Sequence, residues 1–72
     1  MKTVLRDGDL IQFRYHGRLD FGRVVSGGTA YELLPSDYKP EAGTEYYSCI
    51  WKRGKGQDQE DELIPRVRRI AR

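Results

Sequence analysis

The chain has 72 residues, a formal net charge of +2 and a single cysteine, and 38% of its residues are hydrophobic. A chain this short buries only about 60% of the surface that its unfolded form exposes, so we expect residues 1–72 to form one domain without a second core. Cys49 alone excludes an internal disulfide and a zinc site built from several thiolates. No stretch approaches the roughly 18 apolar residues of a membrane span, and the N-terminus lacks the apolar core of a secretory signal. We therefore expect a cytoplasmic protein with no membrane partner.

The first strong element is a β-hairpin over residues 9–25. Ile11, Phe13 and Tyr15 alternate with polar residues, and this period of two is typical of a half-buried strand. A polar, glycine-containing turn then reverses the chain, and a second strand returns antiparallel to the first. Gly22 lies inside this return strand, where glycine weakens pairing. It indicates either a β-bulge or the close approach of another group.

Two further strands follow before residue 52. The paired glycines Gly27 and Gly28 suit a tight hairpin turn into a third strand over residues 29–34. A connection over residues 35–43 then leads to a fourth strand over residues 44–51, which is rich in β-forming residues. Both faces of this fourth strand are partly apolar, so the pattern leaves its inward face open.

Pro65 decides the prediction for the C-terminal segment. Because proline has no N–H group, we expect a strand ending at Ile64 to give way to a short 3-10 turn, with Ile70 re-entering the sheet. The alternative is a short helix that starts at Pro65, with Val67 and Ile70 on one face. We favour the turn. The sequence then predicts an all-β fold, a small five-stranded antiparallel barrel with closed edges and a short 3-10 turn before the last strand.

A spaced set of residues runs through most of the chain. It consists of Gly8-Asp9-x-Ile11-x-Phe13-x-Tyr15, Gly17, Phe21-Gly22-Arg23-Val24, and Leu63-Ile64-Pro65 followed by Ile70. In this layout the chain resembles the Src-homology-3-like and Tudor-like small barrels. The resemblance implies a last strand that follows a 3-10 turn, and a ligand cage of aromatic rings at the open end. In such a cage Tyr15 and Phe21 would be two walls and Tyr47 a third.

Aromatic and basic residues are the candidates for binding. Five tyrosines, two phenylalanines and one tryptophan can either pack the barrel or form a binding platform, because tyrosine buries its ring while its hydroxyl stays in water. Bases stack on such rings and guanidinium groups neutralise phosphates. If the first hairpin and the last long turn share one end, their cations form a basic patch. These cations are Arg14, Arg18, Arg23, Lys52, Arg53 and Lys55. The alternative is that the charges, which alternate in blocks along the chain, form an ordinary solvated surface.

No catalytic, metal or cofactor site is predicted. His16 lies in a turn, and the sequence pairs no nucleophile with it. We expect Cys49 to be a small, buried hydrophobic residue. The acidic residues between 58 and 62 lack the spacing of a calcium loop.

The sequence therefore predicts a non-catalytic binding module. Nucleic acid is the preferred partner, and the alternative is a protein adaptor or assembly subunit that contacts another protein or forms a homo-oligomer. The predicted binding residues are Arg14, Tyr15, Arg18, Phe21, Arg23, Tyr47, Lys52, Arg53 and Lys55.

Overall fold

A computed structural model describes residues 5–54 and 61–72, which form one five-stranded sheet. The prediction of a small all-β domain is confirmed. The strands lie in the order β3-β2-β1-β4-β5. Their bounds are β1 Leu10–Tyr15, β2 Arg18–Val25, β3 Ala30–Leu33, β4 Glu45–Lys52 and β5 Glu62–Ile70.

The sheet is mixed and open, whereas the sequence predicts an antiparallel barrel with closed edges. Antiparallel pairing joins β1 to β2, β2 to β3 and β4 to β5. In contrast, β1 and β4 run parallel, with Ile11 opposite Tyr47. For the residues that the structure describes, β3 and β5 are therefore the two edges of the sheet. The difference arises in the connection between Leu33 and Glu45. β3 and β4 run in the same direction, so this connection is a crossover that carries the chain back over the sheet, not a hairpin loop.

β5 continues through Pro65, so both the predicted 3-10 turn and the alternative helix are wrong. Pro65 lies opposite Cys49 and Val67 lies opposite Ser48, which leaves Arg66 as the extra residue of a β-bulge. Edge strands and bulges are the places where a sheet tolerates proline, because the missing N–H group need not complete a ladder there.

The two hairpins have different turns. His16 and Gly17 join β1 to β2 with φ angles of 49° and 82°, the left-handed pair that matches the twist of a two-residue hairpin. The turn between β2 and β3 spans residues 26–29, as predicted, and holds a short 3-10 helix over Ser26–Gly28.

Most of the buried hydrophobic residues lie on one face of the sheet, here called the core face, whereas Leu10, 5% exposed, lies on the other. Ile11, Phe13, Val24 and Cys49 form the buried cluster of the core face, and Phe13 is 0% exposed. Alternation along β4 puts Tyr47, Cys49 and Trp51 on this face. The inward face of the fourth strand, which the sequence left open, is thereby decided.

Gly22 marks a close approach and not a bulge. The register of β2 with both of its neighbours runs through Gly22 without interruption. A Cβ atom at this position would lie 3.0 Å from the ring of Phe13, 3.0 Å from the carbonyl oxygen of Glu32 and 3.4 Å from the ring of Tyr31. A side chain at this position would press on these neighbours, and glycine avoids the contact.

Candidate binding surface

The register of the strands divides the predicted binding residues between the two faces. Four of them share the face that points away from the core cluster, here called the opposite face, and three lie on the core face. The opposite face carries Arg14, Phe21, Arg23 and Lys52, and the core face carries Tyr15, Arg18 and Tyr47. Arg53 follows the end of β4, and Lys55 lies outside the described residues.

The three rings assigned to a cage do not converge. Tyr15 and Tyr47 are half-buried against the core cluster, and the ring of Tyr15 meets that of Phe13 edge to face at 6.3 Å. Phe21 pairs with Gln12 and therefore points to the opposite face. A single cage cannot contain rings from both sides of one sheet.

Arg18 has a structural partner on the core face. Its Nε donates to the Oδ2 atom of Asp20 at 3.3 Å, and Asp20 is only 3% exposed. A buried carboxylate without a partner would be strongly destabilising, so Arg18 compensates that charge. The guanidinium group of Arg18 is therefore less suited to binding phosphate than the guanidinium groups of the arginines on the opposite face.

The first hairpin turn and the end of β4 lie at the same end of the sheet, as the basic patch requires. The parallel pairing of β1 and β4 brings their C-terminal ends together. The indole Nε1 of Trp51 then donates to the carbonyl oxygen of Arg14 at 2.8 Å. Lys52 consequently lies near Arg14. Glu62, the cross-strand neighbour of Lys52, reduces the positive charge at this end of the sheet.

An aromatic cluster occupies the opposite face. The ring centroid of Phe21 lies 5.4 Å from that of Tyr46 and 5.6 Å from that of Tyr38, both in edge-to-face geometry. All three rings are half-buried. Tyr38 belongs to the crossover connection, so this connection packs on the opposite face.

Exposed cations flank the aromatic cluster. Arg23 donates to the carbonyl oxygen of Gly8 at 3.0 Å, and Arg14 donates to that of Gly17 at 3.3 Å. These neutral partners orient the guanidinium groups without compensating their charge, and each guanidinium has further N–H donors. Arg69 adds a third guanidinium, because it lies opposite Tyr46 in the register of β4 with β5.

Sequence reasoning missed Tyr46 and Arg69 as binding residues. Both faces of the fourth strand are partly apolar, so no pattern separates Tyr46 from Tyr47. Arg69 fell in the segment predicted to be a turn. The strand register that brings Arg69 opposite Tyr46 is visible only in the folded sheet.

Cys49 is buried, and this burial raises the pKa of its thiol from 9.0 to about 11. The thiolate is the reactive form, so we expect the folded protein to resist iodoacetamide at pH 8 and to react once it is unfolded in urea. Because the folded pKa is the higher one, the contribution of Cys49 to the free energy of unfolding is complete below about pH 9 and declines between pH 9 and pH 11. Mass spectrometry of the alkylated protein measures the first effect. Rapid alkylation of the native chain at pH 8 would contradict the buried position.

Within residues 5–54 and 61–72, no group of three or more His, Cys, Asp or Glu side chains could hold a metal ion. Asp58 and Glu60 of the acidic run lie outside these residues. No helix in the described ranges is long and apolar enough to cross a membrane.

Comparisons with protein-family models, curated proteins and solved structures found no match to this chain. What the surface binds is therefore inferred from the chemistry of its own side chains.

Proposed function

We propose that this protein is a non-catalytic module that binds nucleic acid on the opposite face of its sheet. The observation that carries the proposal is the contact of Phe21, Tyr38 and Tyr46 on a face that also presents exposed arginines. Aromatic rings on a protein surface stack unpaired bases with about 1 to 3 kcal/mol per base, and this stacking tolerates any sequence. Guanidinium groups beside them neutralise the phosphates.

The charges of the opposite face favour an anionic strand. Four cations lie on it, and Glu32 opposite Arg23 and Glu62 opposite Lys52 offset them only in part. Arg23 on β2 and Arg69 on β5 are three strand spacings apart, about 14 Å. A single strand that crosses the sheet between them passes over the aromatic cluster. Because stacking requires unpaired bases, we expect single strands to bind better than duplexes.

The likeness to Src-homology-3-like and Tudor-like barrels belongs to the same proposal. Five short strands and a tight first hairpin support it. The parallel pairing of β1 with β4 and the two unjoined edges are features of this chain that a closed antiparallel barrel lacks.

Fluorescence anisotropy with a labelled ten-nucleotide DNA or RNA of mixed sequence tests the proposal. If Arg14, Arg23, Lys52 and Arg69 each neutralise one phosphate, the affinity for a single strand falls about 50-fold between about 50 mM and about 200 mM salt. We expect Tyr46→Ala to weaken binding by about 5-fold to 150-fold through lost stacking. Arg69→Gln should weaken binding and reduce the salt slope by about 0.7.

Arg68→Gln is the matched control for Arg69→Gln. Arg68 is adjacent in sequence but lies on the core face, where it forms an exposed ion pair with Glu45. Such pairs contribute little to stability, so this variant should fold and bind like the parent chain. Equal losses in the two variants, or no binding at about 50 mM salt, would refute an interface on the opposite face.

A protein partner is the second candidate, favoured by exposed aliphatic side chains on the same face. Leu19 is 58% exposed, and Ile50 and Val67 are each 48% exposed. A contact through these side chains would change little with salt, in contrast to phosphate binding. Sedimentation over a hundredfold range of protein concentration shows whether that partner is a second copy of the chain.

A further inference from the structure

Residues of both edge strands line one cavity. The cavity has a volume of about 620 Å³ and is lined by Ala30 and Tyr31 of β3 and by Glu62 and Leu63 of β5. Among residues 5–54 and 61–72, β3 and β5 are nevertheless the two ends of the strand order and do not pair with each other. The sheet therefore curls until its edges approach without joining. We call the gap between β3 and β5 the seam.

In the part of the chain that the structure describes, the edge of β3 remote from β2 pairs with no strand. Its backbone groups on this side point away from β2. The N–H group of Leu34 donates to the carbonyl oxygen of Phe21 at 2.9 Å, which fixes the direction of every second amide along β3. The Glu32 amide accordingly points to β2, whereas those of Tyr31 and Leu33 point away from it. An exposed row of this kind is a template for pairing with another chain.

The floor of the cavity is apolar. Ile11 and Val24 are fully buried beneath it, and Trp51 lines it while remaining 39% exposed. The ring of Tyr31 meets that of Trp51 at 6.2 Å. The pKa of Tyr31 is raised, mainly by burial and to a smaller extent by the neighbouring hydroxyl of Tyr15, as expected for a cavity wall of low polarity.

Two carboxylates border the cavity. Asp61 and Glu62 line it, and the Oδ1 atom of Asp61 accepts the N–H group of Gly54 at 3.1 Å. Within residues 5–54 and 61–72, no cation lies within ion-pair distance of this carboxylate. A ligand that fits both parts of the cavity carries apolar side chains together with positive charge.

We propose that the seam is a docking site for an extended basic peptide segment of a partner protein, which adds to β3 as a further strand. Strand addition supplies main-chain hydrogen bonds, and alternate side chains of the peptide enter the cavity. Four residues of β3 offer about 13 Å of edge, and the cavity volume lies in the usual range for ligand sites. β5 lacks the amide of Pro65, so β3 offers the more complete edge for strand addition. The seam opens on the core side, and the proposal does not depend on nucleic-acid binding. Glu62 borders both surfaces, because it lines the cavity and also lies opposite Lys52.

Trp51 is the only tryptophan of the chain and reports on the seam directly. The probe is the peptide acetyl-Lys-Val-Lys-Val-Lys-amide, and we expect a saturable change in Trp51 emission. The charge-reversed peptide, with Glu in place of Lys, should give none. Asp61→Asn should weaken the basic peptide about threefold, as the loss of one modest rim charge does. The asparagine oxygen can still accept the Gly54 amide, so the local turn is retained. Equal binding of both peptides, or no emission change, would overturn the proposal.

Amide hydrogen exchange tests the strand addition itself. In the free protein the Tyr31 and Leu33 amides should exchange quickly, and the bound peptide should slow them at least tenfold. The Glu32 amide, which points to β2, is the internal control and should not change. A peptide with proline in place of the central lysine lacks one N–H group and should bind more weakly. If Tyr31 and Leu33 are already protected in the free chain, the seam is closed without a partner and the proposal fails.

Discussion

Replacing Phe13 with alanine is expected to leave most of the protein unfolded at 25 °C. Phe13 is completely buried, and its ring meets those of Tyr15, Tyr31 and Trp51 at 6.3, 4.7 and 6.0 Å. Truncating a buried phenylalanine costs about 3 to 5 kcal/mol, through lost burial and the cavity that remains. A single core in a chain of this size rarely supplies more than about 3 to 5 kcal/mol of net stability. The loss is therefore comparable to the whole free energy of unfolding.

Urea denaturation followed by far-ultraviolet circular dichroism measures this effect. Trp51 fluorescence alone would mislead, because the indole packs against Phe13 and responds to the substitution directly. Leu19→Ala is the control, since Leu19 is 58% exposed and surface substitutions usually change stability by less than about 0.5 kcal/mol. A Phe13→Ala midpoint equal to that of the parent chain would show that the core is not organised around this ring.

Gly22→Ala is expected to destabilise the fold by about 1 to 3 kcal/mol, the usual cost of forcing an extra methyl group into a packed core. The added Cβ would lie 3.0 Å from the ring of Phe13 and 3.0 Å from the backbone oxygen of Glu32. The ring can shift, but the carbonyl belongs to the paired strand β3 and cannot move without disturbing the register. Thermal and urea unfolding of the single variant measure the cost.

A double-mutant cycle separates the two contacts of Gly22. Phe13→Leu removes the ring atom nearest to the new methyl group, so Gly22→Ala should cost less in the Phe13→Leu background than in the parent chain. The remaining cost reports the contact with the Glu32 carbonyl. Strict additivity of the two substitutions would mean that Phe13 does not pack over Gly22.

Both destabilising substitutions act on the core face, which also bears the seam. The proposed nucleic-acid surface lies on the other side of the same sheet. Binding assays at the two surfaces therefore need variants that leave Phe13 and Gly22 intact, and the pair Arg68 and Arg69 meets this need because each points to a different face of one strand.

Local pattern was sufficient to predict the class of fold and the first hairpin. The alternation of Ile11, Phe13 and Tyr15 identified the core-facing side of β1, because side chains of a strand alternate whatever the strand pairs with. The sequence also predicted the turn at Gly17, and it predicted either a bulge or a close approach at Gly22. Glycine is favoured in a tight turn because a side chain would strain the backbone there, and it is favoured inside a strand where a side chain would collide with a neighbour.

Only the tertiary structure decided which strands are neighbours. A strand pattern does not reveal whether the next connection is a hairpin or a crossover, so the parallel pairing of β1 with β4 and the open edges were not predictable from the sequence. The prediction of a turn at Pro65 was wrong because a missing N–H group breaks a strand only where that group would have to pair with a neighbouring strand. β5 is an edge strand and has a β-bulge beside Pro65, so the proline is tolerated there.

The candidate sites depend on these same long-range pairings. The sequence determined that arginines and aromatic rings are available, but strand order and register place Phe21, Tyr46 and Arg69 on one face and put Tyr15 on the other. The seam likewise has residues from β3 and β5, which are about 30 positions apart in the chain and meet only because the sheet curls. A binding surface of this kind follows from the arrangement of the whole sheet and not from any single segment of it.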